Sequence, residues 1–577
     1  MSLGRHVDPE DIIHHLESVR PLSKSTNNKP HHLTPYSTPY ASQQDIPKYE
    51  IPPEGAPSDT VYSMINNELD LDGRPNLNLA SFVGTYLDPN AHKLFTSNLS
   101  KNLADNDEYP ALLSLSERCV SILANLWGAS KSEHAIGSPT VGSSEAIHLA
   151  GLSLKRRWQA KMKAQGKNIH EPGPNIIMGS NAQVALLKFA RYFEVEARTV
   201  PVSERSNHCL DPELVRERVD ENTIGVFVIL GSTYTGHYEP VERVCEVLDE
   251  IQRERGWDVH VHVDAASGGF VAPFTLAGAG QKWNFEQPRV KSINVSGHKY
   301  GLVTPGIGWI VWRDEKYLSE ELIFELHYLG GTEKSYTLNF SRPGAQVVVQ
   351  YYNLIHLGFG GYKEIMENCL ANARVLSRGL EETGWYTCVS DIHRPVVKGS
   401  SGVAGKIKVA AETFTGGSDG GKEKEEEEQE KETSAGYTPG LPVVSFRFTD
   451  KFRKEFPHIK QEDVSLLLRA RQWIIPNYAL PPDEDKTEIL RVVIRESMSF
   501  DLLDRLVTDI VQVTEQLIDH DEVDLSIMRK QGGRRRPNRK TGKGKKQDKD
   551  DQKDESVRER AGEEVKRLAG GIHRSVC

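Results

Sequence analysis

Apolar positions along most of the chain follow two periods. Short β-branched runs read as strands: "NIIMG" (175–179), "TIGVFVILG" (223–231), "DVHVHVD" (258–264), "KSINVS" (291–296) and "GIGWIVWR" (306–313). Between them lie segments of helical period, "SSEAIHLAGLSLKRRWQAKMKA" (143–164) and "VERVCEVLDEIQRER" (241–255). This alternation, over 77–370, predicts an α/β domain around a mostly parallel sheet. Ligands of such sheets bind at the carboxyl ends of the strands. A smaller α/β unit is predicted over 371–528. Its strands are "LPVVSFRF" (441–448) and "EILRVVIRE" (488–496), and its helices "EDVSLLLRARQW" (462–473) and "SFDLLDRLVTDIVQVTEQLI" (499–518).

Three regions break the pattern. Residues 1–76 read as an arm, rich in Pro, Ser, His and Asn at its start, with a short helix near 8–19. No core can form there alone, so the arm is either disordered or lies on a partner subunit. Residues 399–436 read as an insertion, including the acidic, Gly-rich "TGGSDGGKEKEEEEQEKETSAG" (415–436), which has nothing to bury and should be a solvated loop. Residues 529–577 form a charged tail that should be disordered in isolation.

Composition narrows the class. Hydrophobic residues are 38% and charged residues 26%, ordinary for a soluble globular protein. A net charge of −10 gives no reason to expect nucleic acid along the whole chain. The six cysteines are scattered without a CxxC pair, so neither a zinc site nor a disulfide framework is indicated. A reducing compartment, the cytoplasm, is expected. The N-terminal stretch lacks an apolar h-region, so it is no secretory signal. The most apolar run, "IGVFVILG" (224–231), is too short to span a bilayer.

Candidate chemistry gathers at strand ends. Asp264 closes one strand in "VHVDAASGG" (261–269), and the small residues after it would let a flat ring lie against the backbone. A helix N-cap is the plainer role for such an Asp taken alone. Lys299 closes another strand in "SINVSGHKYG" (292–301), so both would face the same sheet edge. Pyridoxal phosphate needs this pairing, with its aldehyde joined to a lysine and its pyridinium to a carboxylate. "TVGSSEAIHLAG" (140–151) sets Ser143 and Ser144 at a helix start, where free N–H groups bind phosphate. Simple capping would also explain Ser-Ser-Glu there.

The set also resembles a known family, the pyridoxal-phosphate-dependent glutamate decarboxylases, within the group II decarboxylases of the aspartate aminotransferase fold (fold type I). The resemblance rests on eleven ordered stretches between about 60 and 518, among them "NLASF" (78–82), "GSSEA" (142–146), "KFARYFEVE" (188–196), "HVDAASGGFVAPF" (262–274), "PRVKSINVSGHKYGL" (288–302), "NFSRP" (339–343) and "LRVVIRE" (490–496). It implies that Lys299 joins the cofactor aldehyde and Asp264 pairs with the ring nitrogen. Gln183 would stack on one ring face and Ala266 on the other. Ser143, Ser144, Ser296 and His298 would bind the phosphate, and Thr233 the ring hydroxyl or the substrate carboxylate. Ser341 would reach the phosphate of a neighbouring subunit, which implies at least a homodimer; a hexamer is known in the family. Arg491 would bind the α-carboxylate of L-glutamate. Ser81 and the backbone at Phe82 would read the distal carboxylate, with Asn102 and Asp105 added from the partner. Such a pocket suits a carboxylate if Asp105 or the substrate carries a proton, which implies a preference for mildly acidic pH. The implied products are γ-aminobutyrate and carbon dioxide. Lys299, or a group near His327 to Tyr336, would supply the proton.

The chain departs from the family pattern at Leu186 and Leu187, where members commonly carry Trp and a polar residue. These positions adjoin Gln183 and bear on the wall of the cofactor pocket. Some members end in a calmodulin-binding tail, but residues 529–546 are basic with almost no apolar anchors, which argues against calmodulin. "RRRPNRK" (534–540) could serve as a nuclear-localisation or polyanion patch, a solvated tail being the plainer reading. Two alternatives to glutamate decarboxylation stand beside it: a decarboxylase of aspartate or cysteine sulfinate, and an inactive cofactor-binding scaffold. No metal is called for.

Overall fold

The computed structural model describes residues 51, 55–276, 281–326, 333–396 and 433–519. The arm helix expected near 8–19, most of the acidic insertion and the whole charged tail lie outside them. Residues 1–74 and 75–577 form separate units. In the first, Ser58–Leu69 is a helix started by Pro57.

The second unit is built on a seven-stranded sheet. Its strands are β1 (Ile136–Thr140), β2 (Asn175–Gly179), β3 (Glu196–Val200), β4 (Thr223–Ile229), β5 (His260–Asp264), β6 (Val290–Ser296) and β7 (Gly308–Trp312), in the order β1-β7-β6-β5-β4-β2-β3. Pairing is parallel from β3 through β6, and β7 alone runs against its neighbours. The expected mostly parallel α/β architecture is therefore present. Strands β1 and β3, "IGSPT" and "EARTV", carry little apolar signal and extend the sheet beyond the strands expected from sequence.

Helices cover both faces, so the inner strands are buried on each side, while the edge strand β3 is largely exposed. Val226, Val228, Val261, Val263, Ile293 and Val295 face the main core, together with Trp127, Phe270 and Tyr362. Phe227 and Ile229 face the other way, into a core under the helices Ser143–Ala164 and Val184–Tyr192. Two glycines permit close approach there. A Cβ on Gly308 would sit 2.5 Å from the Gly142 carbonyl carbon and 2.8 Å from the Ser143 nitrogen. Gly142 itself has φ +77°, a conformation that favours glycine. The helix start is thereby pressed onto β7.

A hairpin of β8 (Phe324–Leu326) and β9 (Glu333–Ser335) follows. The helix Ala345–Glu382, kinked at Gly358, then passes from the main core into a second core. That core packs the helices Gln461–Ala470 and Phe500–Asp519 against an antiparallel sheet of β10 (Tyr386–Cys388), β11 (Val443–Phe448), β12 (Asn477–Ala479) and β13 (Glu488–Val493), in the order β10-β11-β13-β12. Along β13, Leu490 and Val492 enter the second core. Strand alternation turns Arg491 to the opposite face, towards the large sheet.

Candidate active site

The carboxyl ends of β4, β5 and β6 and the helix start at Ser143 enclose a cavity of about 210 Å³. Nine of the residues expected to hold a cofactor line it: Ser143, Ser144, Gln183, Thr233, Asp264, Ala266, Ser296, His298 and Lys299. Asn181 and Ser267, not singled out from sequence, line it as well. They belong to the turns that follow β2 and β5, positions from which parallel sheets present ligand groups.

One end of the cavity suits an anion. The helix Ser143–Ala164 begins there with no side chain capping it, so its first N–H groups face the cavity. The Ser143 and Ser296 hydroxyls meet at 2.7 Å. Glu145 turns away and accepts from the Val141 nitrogen at 2.7 Å and the Asn339 nitrogen at 3.0 Å, so its charge is occupied behind the helix start. His298 donates Nδ1–H to the Ile307 carbonyl at 2.8 Å. Burial, with the Lys299 charge beside it, pushes His298 down to about 4, so its ring is neutral at ordinary pH.

Asp264 lies deeper, 3% exposed. Its Oδ1 accepts from Asn294 Nδ2 at 3.0 Å and the Ala266 nitrogen at 3.1 Å. Burial raises its pKa above the usual carboxylate value, while Asn294 and the Lys299 charge pull it down. A cation brought into the cavity would hold it ionised. Lys299 Nζ donates to Ser267 Oγ at 3.2 Å and lies 5.2 Å from the centre of the Phe82 ring.

Arg491 also approaches Phe82, 5.2 Å from that ring's centroid and 5.6 Å from that of Tyr478. It is 3% exposed. Nη1 donates to the Thr233 carbonyl at 2.7 Å and Nη2 to the Ala80 carbonyl. Its Nε is buried with no hydrogen-bond partner among the described residues. A buried donor left so carries a cost that an incoming carboxylate would remove. Ser81 is buried beside it and accepts from the Val83 nitrogen at 3.2 Å.

Six expected residues lie outside the cavity lining: Ser81, Phe82 and Arg491 adjoin it, and Asn102, Asp105 and Ser341 stand apart. Asn102 Nδ2 reaches Ser341 Oγ at 3.3 Å, and Asp105 Oδ1 accepts from the Glu108 nitrogen at 3.2 Å. The structure joins Asn102 to Ser341 but not to this chain's own cofactor cavity. Leu186 and Leu187 require a correction. Leu186 is fully buried in the core under the helices, Leu187 is 41% exposed, and neither lines the cavity. Successive helical residues point about 100° apart, and Ala185 takes the cavity side. Of the region proposed to supply a proton, 327–332 lie outside the described residues. The Tyr336 hydroxyl is committed to the Gly137 carbonyl at 2.7 Å, and burial pushes it up to about 12.

The pyridoxal-dependent decarboxylase conserved domain matches residues 47–398. The chain belongs to that family. A glutamate decarboxylase of Saccharomyces cerevisiae is 47% identical over 528 residues, covering 88% of this chain and 86% of its own. One from Aliivibrio fischeri is 40% identical, covering 82% and 91%. Among solved structures, the Lactobacillus brevis glutamate decarboxylase superposes with a TM-score of 0.72 at 34% identity, over 84% of this chain and 98% of that one. The cavity fits the cofactor that the family's description implies. It sets an amine, a buried carboxylate, an uncapped helix start with two hydroxyls, and the Gln183 and Ala266 side chains around one space.

Proposed function

We infer that this protein is a pyridoxal-phosphate-dependent glutamate decarboxylase, converting L-glutamate to γ-aminobutyrate and carbon dioxide. The observation that carries the reading is the shared cavity of Lys299 and Asp264 beside the buried, unpartnered Nε of Arg491.

When bound, pyridoxal phosphate supplies a cationic ring that accepts the electron pair left as the α-carboxylate departs. The chain's own residues do the rest. The helix start, Ser143, Ser144 and Ser296 would hold the phosphate, and His298, whose Nδ1–H is given to the Ile307 carbonyl, would donate to it from Nε2 once the phosphate charge favours the protonated ring. Asp264 would hold the ring nitrogen as a cation, the form that accepts electrons. Lys299 would hold the cofactor aldehyde through its amine, and that amine would be the group that moves a proton at Cα. Arg491 anchors the α-carboxylate, and Thr233 and Phe82 orient the substrate between arginine and lysine. Ser81 reads the distal carboxylate.

The assembly we propose is at least a homodimer. Asn102 and Ser341 pair with each other away from their own cavity. Near them Leu113, Leu338 and Phe340 are 37%, 46% and 42% exposed, and a cleft of about 380 Å³ opens between 103–106 and 334–342. A second copy seated there would cover these side chains and receive Asn102, Asp105 and Ser341 at its own site. No described helix is long and apolar enough to cross a membrane. We place the enzyme in the cytoplasm, whose reducing character suits its five described cysteines, all free thiols.

A substrate panel tests the reading. With pyridoxal phosphate present, L-glutamate should be decarboxylated far faster than L-aspartate or cysteine sulfinate. Preference for either of those would overturn the substrate assignment, and a cofactor absorbance band with no turnover would favour the scaffold.

A further inference from the structure

Behind Asp264 lies a row of buried polar side chains that the reaction above leaves unused. His262 precedes Asp264 by two positions on the same face of β5. Across β6, Ser292 stands opposite His262 and Asn294 opposite Asp264. His262 and Asn294 are 0% exposed and Ser292 is 2%. The surroundings are apolar, with the Phe227 ring 5.3 Å from the imidazole. The other face of the same two strands is filled by Val261, Val263, Ile293 and Val295. Packing alone would be met by such residues on both faces.

The hydrogen bonds run in one direction. Asn294 donates Nδ2–H to Asp264 Oδ1 at 3.0 Å. Its own Oδ1 can only accept, so His262 Nε2 must donate to it, at 2.7 Å. His262 Nδ1 must then accept from the Ser292 hydroxyl, at 2.8 Å. Burial pushes His262 down to about 4, so the neutral ring and this one tautomer persist at working pH. A flipped Asn294 amide would set oxygen against carboxylate and N–H against N–H. Both bonds to Asp264, from Asn294 and from the Ala266 nitrogen, fall on Oδ1, which leaves Oδ2 for a ligand in the cavity.

We propose that His262 and Asn294 are positioning residues for the cofactor: His262 locks the Asn294 amide, and that amide fixes the Asp264 carboxylate with Oδ2 towards the ring nitrogen. The proposal rests on the assignment of Asp264 to that nitrogen. Ser292 completes the relay by holding the imidazole tautomer.

The test is titration of apoprotein with pyridoxal phosphate, followed by absorbance, beside steady-state kinetics. Asn294→Ala and His262→Leu should weaken cofactor binding roughly 10- to 100-fold, the loss of one hydrogen bond to a charged group. They should lower kcat with little change in KM for glutamate. His262→Gln, which can still donate to Asn294, should regain most of the affinity. In an Asp264→Asn background, His262→Leu should add almost nothing to the loss of affinity. Additive losses in that background, or wild-type affinity in both single variants while Asp264→Asn is impaired, would overturn the proposal. Wild-type affinity and activity in Asp264→Asn itself would instead remove the assignment beneath it. Should the Leu variant fail to fold, Ser292→Ala takes its place. A several-fold loss that vanishes in the Asp264→Asn background supports the relay, and a loss that persists there refutes it.

Discussion

On the proposed reading, Arg491 is structural and functional at once. Two of its nitrogens tie the loops at Thr233 and Ala80 to the small sheet, and the third waits for an acceptor. Arg491→Lys keeps the charge but loses the fork. KM for glutamate should rise roughly 10- to 100-fold, with a smaller fall in kcat, in steady-state assays. Asp264→Asn should cut kcat by about 100-fold or more, since about 3 kcal/mol of charge-assisted bonding to the ring nitrogen is lost. His298 gives a stability signature in the apoprotein. The unfolded chain protonates it near its ordinary value of 6.5, the folded chain only near 4. Its contribution is therefore present above pH 6.5 and is lost as pH falls towards 4, at most about 3 kcal/mol in all. Urea unfolding of His298→Gln apoprotein should show a shallower fall across that window than wild type.

Elements explain why the cavity has its shape. The helix start at Ser143 can meet β7 only because position 308 has no side chain. Gly308→Ala should displace that start, since the atoms a Cβ meets are backbone and cannot yield. A stability loss of about 1–3 kcal/mol is expected by thermal unfolding, with weaker binding of pyridoxal phosphate. The sequence made Asp264, Lys299 and the Gly-Ser-Ser turn legible because each interrupts a periodic run, at the strand or helix end where ligands bind. It hid His262, Ser292 and Asn294. Alternating polar residues in a strand ordinarily mark a solvated face, and the packing over that face, the helix Ser143–Ala164 included, makes them a buried relay. The flanking apolar positions Ile293 and Val295 were the available signal, since a strand apolar on one face and uncharged polar on the other can be covered on both. Strand β1 escaped because "IGSPT" holds one β-branched aliphatic residue and a proline. Leu186 and Leu187 were misplaced because their neighbour Gln183 caps the helix, accepting from the Ala185 nitrogen at 2.6 Å, and the rotation that follows is fixed only by packing.

At the scale of the molecule, two cores share the helix Ala345–Glu382, and the proposed substrate-binding groups are divided between them. Lys299 and Asp264 belong to the large sheet and Arg491 to the small one, so the relative position of the sheets sets the spacing between amine and arginine. The Asn102–Ser341 patch adds a third contributor if a second copy supplies it. Light scattering should give a dimer or a multiple of it, and Leu338→Asp should yield smaller species with little activity. Full activity in a monomeric variant would remove Asn102, Asp105 and Ser341 from the site. The most direct test of the whole account is to assay γ-aminobutyrate formed from L-glutamate and pyridoxal phosphate by the wild type and by Lys299→Ala, side by side. The account predicts product from the wild type and none above background from the variant. Equal product from both, or none from a wild type that binds the cofactor, would contradict it.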